Sequence, residues 1–517
     1  MQDNLRKNLC NGLTLLGCIL LILCYFFNTG PRYVLYLTVA QLLFVPTVLQ
    51  CVVTVKLYEK VIIAAGMVAI TGMMIWPNGL FTIICAGVYV LSTLIIALIG
   101  IKRFLRRGFT NIAEITIDVA FVYMLIGGLW FFAYTAGIDT GFSPIITWLT
   151  AIHFHYSGFL LNVSVGLFGR ISQSKWYMPV AILMMAGLPL VAVGITFSRI
   201  IEIVSVLLYI VAIYTLLILT LRTHLSRVQG FCLRLSIVAL CVSILWSLLY
   251  AFGNLNGMHI VSIPDMLAFH GWINCIFFGV LTMLAWAIQT PETTQRPFDF
   301  PVSQIRGKLP LSKKTNLGLV DRLSDYCETG NLPKSIAHFY EQTNSYTLHA
   351  SVQWHKWFKL FAFIYKGISN IIKQINLPLG RQRVEMTGVM VAVDAAIDGR
   401  STPRAWIRKI GDETVFTAIY SQHTSDKTYM NIALPLPFSA MTGILSLYEE
   451  DGKLHLTSNA SGDAGTYLAF KKAVFKLPIH EHFIIEEQSP IHLTAVHKMH
   501  IFGIPFLHID YEIFREA

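Results

Sequence analysis

GLFTIICAGVYVLSTLIIALIGIKRFLRR, residues 79–107, decides the fold class. Residues 79–101 carry no charged side chain, and Lys102, Arg103, Arg106 and Arg107 follow at once. An apolar helix of roughly 20 residues spans the hydrocarbon core of a bilayer, and cations gathered at one end keep that end on the cytoplasmic side. The stretch therefore reads as a transmembrane helix held at the inner leaflet.

The same pattern repeats in both directions. Apolar spans are predicted at about 9–28, 33–55, 61–77, 79–101, 113–135, 143–165, 177–197, 199–221, 233–254 and 264–288. Every second connection is basic: Arg6 and Lys7; Lys56 and Lys60; the group after residue 101; Arg170 and Lys175; Arg222, Arg227 and Arg234. That makes thirteen cations on one side against Arg32 and Arg199 on the other. The bias places both termini in the cytoplasm of a multi-pass cell-membrane protein. The first span follows a basic start but is too long for a cleaved signal sequence, so it is expected to stay as an anchor.

Composition divides the chain in the same place. The whole is 55% hydrophobic and 13% charged, yet residues 300–517 hold 23 of the 39 Lys+Arg and 20 of the 29 Asp+Glu. Most of the net charge of +10 belongs to the membrane connections, which excludes a nucleic-acid reading. Of nine cysteines only Cys327 lies in the tail, so no disulfide framework or zinc set can be drawn.

Ionisable groups inside hydrocarbon are costly and point to function. The fifth span carries Glu114 and Asp118, four residues apart and on one helical face. Like charges so close are expected to leave one protonated. The sixth span holds TAIHFHYSGF, residues 150–159, the densest polar run, with Asn162 beyond it. His153 and His155 point about 200° apart on a regular helix, so they cannot share a metal and each faces a different neighbour. Glu114, Asp118, His153, His155, Tyr156 and Asn162 form the candidate intramembrane polar site, with carboxylate and imidazole as the proton-exchanging pair. The competing reading is that these groups only hydrogen-bond helices together. Asp265 and His270 in the tenth span are a secondary candidate, with His259 in the preceding loop. No H-E-x-x-H, G-x-S-x-G or Walker A sequence occurs. These absences speak against ATP-driven pumping and membrane proteolysis; whether the chain is an enzyme stays open at this point, with no cofactor or metal assigned.

After the spans, residues 290–315 contain Pro291, Pro297, Pro301 and Pro310 and read as a juxtamembrane linker whose Arg306, Lys308, Lys313 and Lys314 face anionic headgroups. Residues 350–374 mix Trp354, Trp357, Phe358, Phe361 and Phe363 with Lys356, Lys359, Lys366 and Lys373. They suit a helix in the membrane interface or one packed on the tail's own sheet. From 383 onward, short alternating runs at 383–394, 404–410, 413–421, 427–435, 453–458, 464–476, 482–487, 491–502 and 505–514 predict an antiparallel sandwich or barrel. Such a fold often encloses an apolar ligand. Histidines 480, 482, 492, 497, 500 and 508 lie on these runs, with His497 on the face opposite to His492 and His500.

Two stretches, LTAIHFHYSGF at 149–159 and YMNIALPLPFSAMTG at 429–443, resemble the YndJ-like proteins, a bacterial multi-pass membrane family sometimes labelled as transporters. The resemblance extends over nearly the whole chain and carries over no catalytic or binding residue. The expectation is a polytopic α-helical membrane bundle of about ten transmembrane helices at 1–289, a linker at 290–315, and a cytoplasmic α+β domain with a mainly antiparallel β-sheet at 316–517. Its expected task is transport or sensing of a small lipophilic or proton-coupled solute, with the lipid bilayer as partner. The alternatives are a membrane-embedded metal or haem enzyme acting on lipid-like substrates, and a membrane-anchored lipid-binding β-domain.

Overall fold

The computed structural model describes residues 8–258, 260–295, 298–307, 309, 314–470 and 473–516. Arg6, Lys7, His259, Pro297, Lys308, Pro310 and Lys313 lie outside the described residues. Two compact units result, one of Met1–Phe104 with Asn111–Gln295, the other of Leu105–Thr110 with Arg296–Ala517.

The first unit is a helical bundle. Its rods are α1 (Gly12–Phe27), α2 (Val34–Val52), α3 (Leu57–Ile75), α4 (Gly79–Leu105), α5 (Ile112–Thr135), α6 (residues 144–169), α7 (Tyr177–Phe197), α8 (Arg199–Arg222), α9 (Arg227–Asn256) and α10 (Ile263–Ile288). Eight of them, all but α1 and α6, are long and apolar enough to cross a membrane by length and composition. The shorter α1 has 16 residues. Polar groups dilute α6, the rod that carries the 150–159 run.

Local chemistry sets the helix starts. Asn111 accepts from the backbone N–H groups of Ala113 and Glu114, and Ser198 accepts from Ile201 N–H, satisfying donors that no helical carbonyl can reach. Pro144 opens α6, where its missing N–H costs nothing. The bundle is apolar on both sides: Phe44, Phe121, Phe159 and Trp286 fill its centre, while Val61, Leu80, Val211 and Phe231 stand exposed on its outside. An apolar outer surface suits lipid rather than water.

Three rods depart from the α geometry. Residues Ala40–Phe44 of α2, Phe154–Leu161 of α6, and Met266–Gly271 with Asn274–Val280 of α10 are π-helical, their backbone bonds spanning one residue more than in an α-helix. The segments at 40–44, 154–161 and 274–280 pack against one another. Tyr156 donates to Tyr36 O at 2.7 Å and meets the Phe44 ring edge-on.

The second unit is a β-barrel. Strands β1 (Tyr346–Trp354), β2 (Arg383–Ala392), β3 (Ser401–Ile410), β4 (Glu413–Thr424), β5 (Thr428–Pro435), β6 (Ala440–Glu450), β7 (Lys453–Thr457), β8 (Gly465–Phe470), β9 (Ala473–Lys476), β10 (Ile479–Ser489), β11 (His492–Ile501) and β12 (Ile504–Arg515) are all antiparallel to their neighbours. Pairings run β1-β2-β3-β4-β5-β6-β7-β10-β11-β12 and return to β1, a closed ring of ten strands, with β8 and β9 branching from β6. Along β12, Leu507, Ile509, Tyr511 and Ile513 face inward at every second position.

Two strands escaped the sequence reading. Residues 350–354, expected to start a helix, finish β1, and 440–450 form β6. Helix α12 starts only at Lys359 and ends at Ile372, after a shorter α11 at Lys334–Glu341. The described part of the expected linker is also packed rather than extended. Ile305 joins Val391, Ala405, Ile419 and Ala433 in a small core, Arg306 donates to Ser303 O and Ile305 O, and Thr315 bridges Val391 of β2.

One ion pair holds this region. Asp398, on the short helix α13 (Ala395–Asp398), and Arg400 have no solvent exposure. Arg400 donates from Nε to Asp398 Oδ2 at 2.6 Å and from Nη2 to Ile419 O at 3.1 Å, while Ser303 Oγ donates to Asp398 Oδ1 at 2.6 Å. Removing one partner of a buried pair leaves the other charge uncompensated. Arg400→Met is expected to destabilise the barrel by about 3–5 kcal/mol, whereas Arg322→Ala, at an exposed pair, should cost no more than about 1 kcal/mol. Thermal unfolding of the purified variants checks the difference.

Candidate functional site

The polar groups of the bundle fall into two clusters, and the division differs from the one the sequence suggests. Glu114 and Asp118 do face one way, but their partners are arginines. Arg103 Nη2 meets Glu114 Oε2 at 2.6 Å and its Nε meets Asp118 Oδ1 at 2.8 Å. Arg170 approaches Glu114 side-on, Nε to Oε1 at 2.7 Å and Nη2 to Oε2 at 3.1 Å, and also donates to Pro291 O at 2.8 Å. Each carboxylate is therefore paired with a guanidinium group, which offsets the like-charge repulsion expected between them. Arg103 and Arg170 read in the sequence as orientation signals only. Their second task is to join α4, α5 and α6 with the segment after α10.

The histidines build the second cluster. His155 is fully buried, and its Nδ1 lies 2.8 Å from Ala151 O. A carbonyl oxygen can only accept, so the proton sits on Nδ1 and the Nε2 lone pair takes the Tyr89 O–H, 2.6 Å away on α4. A side chain at Gly127 on α5 would press on the His155 ring and on Phe154 Cβ at 3.0 Å, so the glycine gives the imidazole room. His153 makes the same backbone bond, Nδ1 to Leu149 O at 2.6 Å, but faces α10. There its ring lies 6.4 Å from that of His270. His270 donates from Nδ1 to Ser243 O at 2.9 Å and accepts at Nε2 from the Asn274 amide at 3.0 Å, while Ser243 Oγ donates to Asn274 Oδ1 at 2.8 Å. His153 Nε2 has no hydrogen-bond partner among the described residues, and both rings are only partly buried.

The structure thus joins His153 of the primary set to His270 of the secondary one, and separates both from Glu114 and Asp118. Tyr156 bonds Tyr36, Asn162 donates to Ser157 O and Gly158 O within α6, and Asp265 caps its own helix through Ser262. Tyr89 and Ser243 were missed. Nothing distinguishes them in sequence from the other tyrosines and serines of apolar spans. Among the described residues no three His, Cys, Asp or Glu side chains converge as a metal site.

Comparison with known proteins agrees with the resemblance noted in the sequence. The profile of the YndJ-like protein family matches residues 35–278, and the chain is 36% identical over 459 residues to the uncharacterized membrane protein YndJ of Bacillus subtilis (strain 168), covering 83% of each. The chain belongs to the YndJ-like family. No solved structure matches it. The family profile runs from α2 into α10 and includes the arginine, carboxylate and histidine side chains of both clusters.

The clusters should respond differently to mutation. Tyr89→Phe is expected to cost about 1 kcal/mol, the scale of an interhelical hydrogen bond in a membrane. Glu114→Gln should cost about 3 kcal/mol or more, because Arg170 loses its counter-charge and Arg103 loses one of its two. Unfolding of the two variants in detergent measures the gap, and equal small losses would contradict the assigned pairing.

Proposed function

We propose that this membrane protein moves or senses a small lipophilic or proton-coupled solute through its helical bundle, using the centre made by His153, Ser243, His270 and Asn274. The observation that carries the reading is the pair of imidazoles that α6 and α10 bring together, His153 and His270, with ring centres 6.4 Å apart. His153 presents an unused Nε2 lone pair beside a ring whose own lone pair is engaged. A proton taken up by His270 would need an acceptor where the Asn274 amide now donates. The amide can supply one by turning over, with the Ser243 hydroxyl reversing in step, so the chain of bonds has two polarities. Its place on and beside π-helical turns adds support, since these often occur where a helix must present groups irregularly.

The cytoplasmic placement of both termini and of the barrel rests on the thirteen-to-two distribution of basic residues between alternate connections. Helix α12 supports a bilayer as partner of the second unit: Phe361, Phe363, Ile364, Ile368 and Ile371 are exposed, Ile371 by 83%, with Lys359 and Lys373 at its ends. An apolar stripe of that size edged by lysines suits the headgroup boundary.

The test uses vesicles reconstituted with the full chain and loaded with a pH-sensitive dye. The wild type is expected to dissipate an imposed proton gradient, with or without the lipophilic cation tetraphenylphosphonium. His153→Gln and His270→Gln should slow this by about tenfold, a loss of one order of magnitude or 1.4 kcal/mol of barrier, and Asp265→Asn should leave it unchanged. Unaltered flux in both histidine variants would remove the centre from the mechanism.

A further inference from the structure

The barrel holds a cavity of about 130 Å³. Eight strands make a barrel just wide enough for side chains or one small ligand, and width grows with strand number, so a ten-strand ring leaves space inside. Most of the wall is apolar, with Leu348, Met430, Ile432, Leu507 and Ile509 among its residues. Polar groups interrupt it at one place. Glu481 of β10 points its carboxylate at Gly443 of β6, where any side chain would collide with it. Thr466 of β8 sits opposite Gly443 in register. Its hydroxyl has no hydrogen-bond partner, although the residue is only 2% exposed.

His497 of β11, 8% exposed, stacks on Phe483 with ring centres 3.6 Å apart. Its Nε2 is 3.4 Å from Glu481 Oε2 yet out of line for a hydrogen bond. Arg408 of β3 lies against the Trp406 and Phe416 rings, and its Nε also lacks a partner. Buried polar atoms are nearly always bonded, so three unsatisfied ones at a single cavity call for a guest.

We infer that the barrel cavity is a binding site for a small, uncharged, ring-sized lipophile carrying one hydroxyl group. Size follows from comparison with an engineered protein cavity of about 150 Å³, which accepts benzene. Neutrality follows from the charges already enclosed: the wall carries one cation, Arg408, and one anion, Glu481, while burial pushes the His497 pKa down. A further buried charge would be uncompensated. The hydroxyl follows from the wall, since a carboxylate needs a donor while the Arg408 N–H needs an acceptor, and Thr466 can serve either. A hydroxyl group supplies both functions from one atom. The site belongs to the second unit alone, so it stands or falls independently of the flux measurements.

The experiment is calorimetric titration of the full-length protein in nanodiscs, corrected against empty nanodiscs, with p-cresol, toluene and 4-methylbenzoate. These share a shape and differ in bearing a hydroxyl, nothing, or a charge. p-Cresol is expected to bind at least tenfold more tightly than either of the others. Thr466→Val should weaken p-cresol by about tenfold and leave toluene unchanged, and Ala418→Phe, which fills the cavity, should abolish both. If Ala418→Phe fails to fold, Thr466→Val decides alone. Toluene binding as tightly as p-cresol, 4-methylbenzoate binding best, or p-cresol affinity unmoved by Thr466→Val would each overturn the assignment.

Discussion

Hydrocarbon offers no hydrogen bonds, so each polar group that enters the bundle must find its partner inside the protein. That constraint explains the arrangement of α6 in detail. Both of its histidines turn Nδ1 back to the carbonyl four residues earlier. Thr150 does the same with its hydroxyl, and Asn162 gives its amide to two carbonyls of the same rod. One nitrogen of each imidazole is thereby spent locally, and the other is left to be read by a neighbouring helix. For His155 that neighbour is the Tyr89 hydroxyl, a closed contact. For His153 it is the His270 ring of α10, 6.4 Å away between centres. The same residue type two positions apart acquires two roles because the helix turns it to two surroundings.

The carboxylates obey the rule more strictly. Ionisable side chains persist in a membrane when paired, and Glu114 is met by Arg103 near the end of α4 and by Arg170 just past α6. Arg103 and Arg170, which the sequence offered as orientation signals, brace the folded bundle from within. Bidentate guanidinium geometry suits this better than lysine would. The result is a braced end, formed where α4, α5 and α6 meet, and a less tightly bonded centre at the π-helical turns of α6 and α10.

Much of this could be read from the chain. Ten apolar stretches became ten rods, because length and hydropathy are local properties. Short alternating runs became strands for the same reason. The divergence of His153 and His155 followed from 3.6 residues per turn and survived the π-helical segment that begins immediately after His153. The pairing of His153 with His270 did not follow, since it depends on α10 lying beside α6 across more than a hundred residues of chain. The salt-bridge network was hidden for a different reason: charge was assigned wholly to topology, and nothing local shows that Arg103 of α4 reaches across to Glu114 and Asp118 of α5. In the second unit, β1 was obscured by the aromatics and lysines that follow it. Ring closure was invisible because β1 with β12 and β7 with β10 are distant pairings.

The cavity in the barrel shows how function and fold share one requirement. Inward positions along β10 and β11 would ordinarily be aliphatic, as Ile485 and Leu493 are. Glu481 and His497 occupy equivalent inward positions, and Gly443 gives up its own side chain to make room for the carboxylate. A core built only for stability would fill that space with hydrocarbon, since replacing buried ionic groups by well-packed apolar ones is often neutral or favourable. Arg408 makes the departure deliberate in physical terms: it is kept between two aromatic rings, where a cation is tolerated, with its Nε still unbonded. Three strands and a branch strand each contribute a polar group to one spot of an otherwise apolar wall. Such convergence of β3, β8, β10 and β11 is the arrangement by which a barrel distinguishes one small guest from another of the same shape.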